Sequence, residues 1–180
     1  MLDRAAHPNT RAILNAWKRL SSPGKSDGAD PKVEDFPNLL GSLFVLKMAE
    51  DGVWLFANVG KDLQTHLGRE LMDHDFQSIW RGRDLALVSA HLDAVRFGSA
   101  PGIIRARGET LAGQRVELEI ALAPLRTKSG NSDRILGLYQ MLGGEGLLAG
   151  RPIWRHGISA IYPPESAREE PHLRLVASNE

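Results

Sequence analysis

Hydrophobic and polar positions between residues 43 and 142 form short strand-like runs on either side of one long helical stretch. The first two runs, residues 43–48 and 53–59, are rich in β-branched and aromatic residues. Asp51-Gly52 lies between them and is typical of a hairpin turn, because glycine readily takes a positive φ. The pattern therefore predicts two strands that pair through a tight turn.

Three helical segments are predicted next, over residues 61–67, 70–79 and 83–97. A glycine follows each segment, at a position where a C-terminal cap favours a positive φ. The third segment repeats apolar residues and one histidine at helical spacing: Leu85, Val88, His91, Leu92 and Val95.

Three further strands are predicted, over residues 103–107, from residue 115 to Pro124, and over residues 135–142. The fourth strand has the clearest alternation in the chain, with Val116, Leu118, Ile120 and Leu122 on one face and Arg115, Glu117 and Glu119 on the other. If the preceding hairpin turns around Leu111, Arg105 lies opposite Glu117.

The order strand, strand, helices, strand, strand, strand predicts an α+β domain. We expect a five-stranded antiparallel sheet with helices on one face and an additional N-terminal helix. The first and last strands should be central neighbours. The apolar face of the fourth strand should point toward the helices, since a shift of one residue would reverse every side chain.

The N-terminal helix is predicted to begin at Asn9 or Thr10 and to end near residue 20. Its apolar stripe must be buried against the domain or against a second copy of the chain. Because a polar loop over residues 21–31 separates it from the body, we predict that this stripe mediates a homodimer. The stripe consists of Ile13, Leu14, Trp17 and Leu20.

We divide the chain into an N-terminal helix and linker over residues 1–30, a domain over 31–145, and a partly disordered C-terminal extension over 146–180. Beyond the last predicted strand the sequence is first glycine-rich and then shows no clear periodicity. From Pro163 onward it is polar, which is typical of frayed termini.

Composition restricts the chemistry that this chain can perform. The 180 residues contain no cysteine, which excludes disulfides, thiolate metal sites, cysteine nucleophiles and chromophores bonded to cysteine. The formal net charge is zero, so we expect no nucleic-acid partner and no membrane partner. No segment has the length of a signal core or a membrane span, and the cytoplasm is the expected compartment.

Two short motifs resemble nucleotide-binding loops but lack the required surroundings. Gly24-Lys25-Ser26 has no glycine five residues earlier and follows a helix, so it is interpreted as a turn. The run Gly144-Glu145-Gly146-Leu147-Leu148-Ala149 matches a dinucleotide fingerprint after a strand. Gly150 and Pro152 follow at once, which favours a flexible exit from the sheet.

The six histidines form no pair with metal-ligand spacing, and no motif of a hydrolase or metalloprotease occurs. His66 and His91 fall on helices that face the predicted sheet, where one of them could ligate a haem iron. A packed or surface role is favoured for both. The sequence therefore identifies no cofactor and predicts that the protein is not an enzyme.

Several segments resemble a PAS-like family, part of the PAS domain superfamily, that is common in alphaproteobacteria. They are Trp17-Lys18-Arg19-Leu20, Pro31 with Phe36-Pro37-Asn38-Leu39-Leu40, Phe56-Ala57-Asn58-Val59-Gly60, Gly68-Arg69-Glu70-Leu71 before Phe76 and Trp80, Leu122-Ala123-Pro124-Leu125, and Asp133-Arg134-Ile135-Leu136-Gly137. The match covers roughly residues 11–142. The chain departs from the family pattern at Ala57, where an arginine is usual, and at Lys61, near which a small hydroxyl residue is usual.

The resemblance implies a sensory and dimerising module. We predict a non-catalytic signalling role, with a small molecule or a partner protein bound between the sheet and the helices of residues 61–97. The residues expected to line that site are Phe56, His66, Trp80, His91, Leu118, Ile120 and Tyr139. Two alternatives stay open: a small enzyme with a histidine and a carboxylate as acid and base, and a protein-interaction scaffold with a filled core.

Overall fold

The computed structural model of the chain describes residues 4–21, 39–125 and 133–165. In these ranges six strands form one antiparallel sheet in the order β2-β1-β5-β4-β3-β6. The strands are β1 (Leu43–Met48), β2 (Trp54–Val59), β3 (Gly102–Thr110), β4 (Arg115–Leu125), β5 (Arg134–Met141) and β6 (Ile153–Tyr162). The α+β class, the strand order along the chain and the pairing of β1 with β5 are confirmed.

The sheet has one strand more than the five that the sequence predicts. Residues 153–162 form β6, which pairs with β3 along almost its whole length. The sequence suggested a loosely ordered extension there because apolar residues do not alternate cleanly along this segment. Backbone pairing to β3 satisfies the amides of β6 without a regular apolar face. Residues 166–180 lie outside the described ranges.

Helices α2 (Lys61–Leu67) and α3 (Arg83–Gly98) lie on the front face of the sheet. Gly68 caps α2 with φ +62°, and its amide bonds the Gln64 carbonyl at 2.8 Å. The apolar face of β4 points toward these helices as predicted, and its residues are buried with those of α3 in one core. The residues of β4 and α3 that belong to this core are Val116, Leu118, Ile120, Leu122, Val88, Leu92 and Val95.

The N-terminal helix α1 (Pro8–Ser21) lies on the opposite, back face of the sheet. Ile13 and Leu14 are buried there against Ala121 and Leu138, in a second apolar cluster. The helices between β2 and β3 thus lie on one face as expected, and the additional N-terminal helix covers the other face. The back face of β4 and β5 presents small and apolar side chains, and burying these together with the stripe of α1 removes both from water.

The helix predicted over residues 70–79 is reduced to a single 3-10 turn, Phe76–Ile79. Before it, Asp73 takes φ +59°, which an α-helix does not allow. The Asp73 amide bonds the Phe56 carbonyl at 2.8 Å, so this segment runs beside β2. The Asp75 carboxylate accepts the Gln77 amide and begins the 3-10 turn.

Two expectations about β4 are wrong. The strand continues through Pro124 to Leu125, because proline keeps a carbonyl that can still accept a hydrogen bond. The β3–β4 hairpin turns one residue later than assumed, around Ala112. Arg105 therefore pairs with Glu119, and Arg107 pairs with Glu117.

The dinucleotide-like run forms a four-residue helix, α4 (Glu145–Leu148), rather than a flexible exit. It leads into β6, which is antiparallel to β3, so no parallel β-α-β unit surrounds the motif. The interpretation against dinucleotide binding is consistent with this arrangement. Gly24-Lys25-Ser26 and the segment of residues 31–38 lie outside the described ranges.

Candidate functional site

The space between the sheet and the front helices is occupied by packed side chains. Phe56 joins Phe44 and Phe76 in an aromatic cluster with ring centroids 5.5–5.6 Å apart. Leu118 and Ile120 are fully buried beneath these elements. The structure therefore places three of the predicted ligand-binding residues in the apolar core, and their contact with a ligand stays a prediction.

A polar cluster lies at one end of this core, where Trp80, Tyr139 and His156 meet. The Tyr139 hydroxyl is 2.8 Å from His156 Nε2, and the Trp80 and His156 rings are 5.3 Å apart. All three residues are buried. The sequence predicted Trp80 and Tyr139 as site residues but missed His156, because it stands on β6, the strand that the sequence did not predict.

Burial keeps this cluster uncharged. It lowers the pKa of His156 to about 4, against an opposing contribution from the Ile79 backbone and with a smaller lowering from Arg69, and it raises the pKa of Tyr139 well above its ordinary value. Among the described residues, neither His156 Nδ1 nor Trp80 Nε1 has a hydrogen-bond partner in standard geometry. Buried polar atoms without partners are costly, so this cluster is a candidate for contact with a ligand.

A pocket of about 560 Å³ opens next to this cluster, and His156 forms part of its wall. Its lining combines apolar residues with three exposed arginines, Arg69, Arg81 and Arg151. The Arg81 guanidinium lies 5.5 Å from the centre of the Trp154 ring, at cation–π distance. No aspartate or glutamate occurs among the described residues that line this pocket.

A neighbouring pocket of about 660 Å³ shares Arg81 and His156 with the first. Its carboxylates already have partners. Asp84 accepts a hydrogen bond from the Ile158 amide at 3.0 Å, and Glu109 accepts one from Arg155 at 2.9 Å. Glu109 also forms ion pairs with Arg155 and Arg115. The Arg155 hydrogen bond is the main cause that lowers the pKa of Glu109.

The two histidines predicted for the site occupy different environments. His91 is buried on α3 against Gly102, where an added Cβ would overlap the imidazole ring. Neither of its ring nitrogens has a hydrogen-bond partner in the described part of the chain, and burial lowers its pKa to about 4. His66 is partly exposed on the last turn of α2 and lines neither of the two pockets described above. Within the described residues, no group of three His, Asp or Glu side chains could hold a metal ion.

The back of the sheet holds α1 through polar contacts as well as apolar ones. Glu119 is completely buried and accepts the amides of Ala6 at 2.7 Å and His7 at 3.1 Å. Arg105 Nε lies 3.3 Å from the same carboxylate, and Trp17 Nε1 donates to the Pro124 carbonyl at 2.6 Å.

The stripe predicted to form a dimer is therefore covered by the chain's own sheet at Ile13 and Leu14, while Trp17 is half-buried. The side chain of Leu20 lies outside the described part of the molecule. Self-association through this helix stays a prediction, and it requires the helix to leave this face or to pair through its exposed side.

The described residues contain no helix with the length and hydropathy needed to cross a bilayer. No curated protein matches the chain. Among solved structures, the LOV protein of Rhodobacter sphaeroides is similar to 59% of the chain at 17% identity with a TM-score of 0.46, and the chain spans 61% of that protein. The LOV domain of the blue-light photoreceptor Aureochrome1, in its light state, is similar to 65% of the chain at 13% identity with a TM-score of 0.47, over 94% of that domain.

Likeness at this level does not extend to ligands or activity. The family comparison goes further, because the sequence profile of the PAS domain matches residues 5–140, about three quarters of the chain. That range includes α1 and ends one residue before the end of β5. The chain therefore belongs to the PAS domain family.

Proposed function

We propose that this chain is a non-catalytic sensory module that binds a small molecule in the pocket beside Trp80, Tyr139 and His156. The observation that carries the proposal is the buried His156 ring, which lines the pocket while its Nδ1 atom makes no hydrogen bond of standard geometry with any described residue. An unmet buried polar atom costs about 1–3 kcal/mol, so a ligand that bonds it gains that amount relative to the empty pocket. Phe56, His66, His91, Leu118 and Ile120 extend the proposed site inward if the core rearranges around a ligand.

Catalysis is the less supported alternative. General acid–base chemistry needs two titratable groups that exchange protons near pH 7 at a substrate. His156 bonds Tyr139, and the pocket that it shares with the arginines has no carboxylate among its described lining residues. Both members of the pair stay neutral over the ordinary pH range, so they hold a ligand better than they transfer protons.

The paired strands of the sheet connect the proposed ligand pocket to helix α1. On β4, Leu118 and Ile120 face the front core, while Glu119 between them holds the amides that precede α1. A ligand that shifts β6 acts on β3, which pairs with β4 through Arg105 and Glu119. We propose that the position of α1 is the output, read by a partner protein or by a second copy of the chain.

The test is a thermal-unfolding screen of the full chain against small organic molecules, with two variants. Ala112→Trp places a large ring at the exposed mouth of the pocket, and Ala86→Trp places the same ring on the exposed side of α3, outside both pockets. A true ligand should stabilise the wild type and Ala86→Trp but not Ala112→Trp.

The expected shift follows from linkage. A ligand at a hundred times its Kd adds about 2.7 kcal/mol, which raises the Tm of a chain of this size by roughly 5–10 °C. The proposal fails if no compound of a broad panel stabilises the wild type, or if Ala112→Trp responds as strongly as Ala86→Trp.

A further inference from the structure

We infer that the pocket binds an organic anion, with its oxyanion head held by Arg69, Arg81 and Arg151 and its apolar body against the remaining wall. This inference rests on the proposed function, because it names the class of ligand for the same pocket. It depends on three independent features of the pocket: the charge of its lining, the excess of hydrogen-bond donors without acceptors, and the apolar surface at its rim.

The charge of the pocket is uncompensated. Within the described ranges, none of the three arginine side chains makes a hydrogen bond or an ion pair, and no acidic residue lines the pocket. The adjoining pocket differs, since its Arg155 and Arg115 are paired with Glu109. Guanidinium groups gathered without carboxylates offer forked donors that match a carboxylate or a phosphate.

The buried polar atoms at this wall that lack a partner are also hydrogen-bond donors. The Tyr139 hydroxyl lies 2.8 Å from His156 Nε2, and its proton is satisfied when it donates to that atom. This tautomer places the second imidazole proton on Nδ1, which has no acceptor of standard geometry among the described residues, although the Ile79 backbone interacts with the ring. Trp80 Nε1 is also a donor without an acceptor among those residues; the Trp80 ring packs against His156 but is not itself part of the pocket lining.

Donors therefore exceed acceptors on the polar side of this wall. Ser78, another lining residue, donates its hydroxyl proton to the Asp75 carbonyl at 2.6 Å, so its oxygen remains an acceptor, but the donors of the three arginines outnumber it. The side chains of the wall leave acceptors to be supplied by the ligand, and an anionic oxygen is the strongest acceptor that a small molecule can bring.

The rest of the lining is apolar, which indicates a ligand with an apolar body rather than an inorganic ion. Trp154 and Leu111 remain 55% and 80% exposed at the rim, although both are large hydrophobic residues. Other apolar residues form the floor and walls: Leu67, Ile79, Pro152 and Ile153. The volume of about 560 Å³ lies in the range of ordinary small-molecule sites.

The test uses isothermal titration of the full chain with matched pairs of nearly equal shape, in which a neutral amide replaces the carboxylate. The pairs are benzoate and benzamide, cinnamate and cinnamamide, and octanoate and octanamide. Phenyl phosphate, inorganic phosphate and a glutamate-rich peptide complete the panel. We expect at least one organic anion to bind about tenfold more tightly than its neutral partner, as one charged hydrogen bond predicts. Inorganic phosphate and the peptide should bind more weakly.

Charge-removing variants locate the site. Arg69→Met, Arg81→Met and Arg151→Met keep the aliphatic bulk of the side chain and remove the charge. Arg134→Met is the matched control, because Arg134 is exposed on β5 and lines neither pocket. At least two of the three pocket variants should weaken anion binding by roughly tenfold, while the control should change it by less than about twofold.

The outcomes separate this inference from the proposed function. If amides bind as tightly as carboxylates and Ala112→Trp blocks both, the pocket is a ligand site and the anion inference is overturned. If the arginine variants bind the anion like Arg134→Met, or if the peptide binds best, the inference is also overturned. If no member of the panel binds, the inference falls, and the proposed function then depends on the unfolding screen alone.

Discussion

Replacement of His91 by leucine should stabilise the protein, most strongly in mild acid. His91 is buried on α3, and neither ring nitrogen has a hydrogen-bond partner among the residues that the structure describes. A buried polar group without a partner costs about 1–3 kcal/mol, and a leucine of similar volume does not carry that cost. We therefore expect His91→Leu to raise the free energy of unfolding by about 1 kcal/mol near neutral pH. The gain is at the low end of the range because the contact of the imidazole with Gly102 is lost.

The acid contribution follows from the pKa of His91, which burial lowers from 6.5 to about 4. The unfolded chain binds a proton at this residue below about pH 6.5, whereas the folded chain leaves it neutral down to about pH 4. Stability is thus lost as the pH falls through this window. Between about pH 7.5 and pH 5 the loss is about 2 kcal/mol for His91, and His91→Leu removes it.

Urea denaturation at both pH values measures these free energies of unfolding. The gain from His91→Leu should rise from about 1 kcal/mol near pH 7.5 to about 3 kcal/mol near pH 5. His66→Leu is the control, because it removes an imidazole from a partly exposed helix position. The reasoning is refuted if His91→Leu is less stable than the wild type near neutral pH, or if its acid loss equals that of the wild type.

Three further predictions use the same measurements. Tyr139→Phe removes the hydroxyl that bonds His156 Nε2 and should cost about 1–3 kcal/mol in urea denaturation; an unchanged midpoint would argue against that bond. Glu119→Gln weakens the acceptor of the Ala6 and His7 amides and should cost about 1.5–3 kcal/mol, with faster hydrogen exchange over residues 4–21 as the specific sign. Deletion of residues 1–22 uncovers the back of the sheet and should lower the Tm. If light scattering shows that the shortened chain keeps the oligomeric state of the full chain, the predicted α1 homodimer is rejected.

The front half of the fold could be predicted from the sequence because its signals are local. The alternation of β4 identified which side chains face the helices, and β1 begins and ends at the residues that the pattern indicated. The period-two and helical patterns are properties of a single segment, so they can be recognised without knowing which other segment it packs against. Residues 70–79 were mistaken for a helix because the bond of Asp73 to the Phe56 carbonyl, which replaces helical bonds, joins segments far apart in sequence.

The position of α1 could not be predicted in this way. Its apolar stripe predicts only that Ile13 and Leu14 are buried. Whether the cover is the chain's own sheet or a second copy depends on the shape of the back face. The buried carboxylate of Glu119, which accepts two amides near the start of α1, becomes visible only when β4 is placed beneath that helix.

The candidate site was decided by tertiary structure almost entirely. The sequence determined that Trp80 and Tyr139 are large residues on elements that enclose one core, but it gave no sign of His156, since β6 is recognisable only by its pairing with β3. The pocket arginines stand before the 3-10 turn, after it, and ahead of β6, and nothing in their spacing relates them. Local periodicity fixes which face of an element is apolar, whereas long-range strand pairing fixes which distant charges meet, and only the second process builds this pocket.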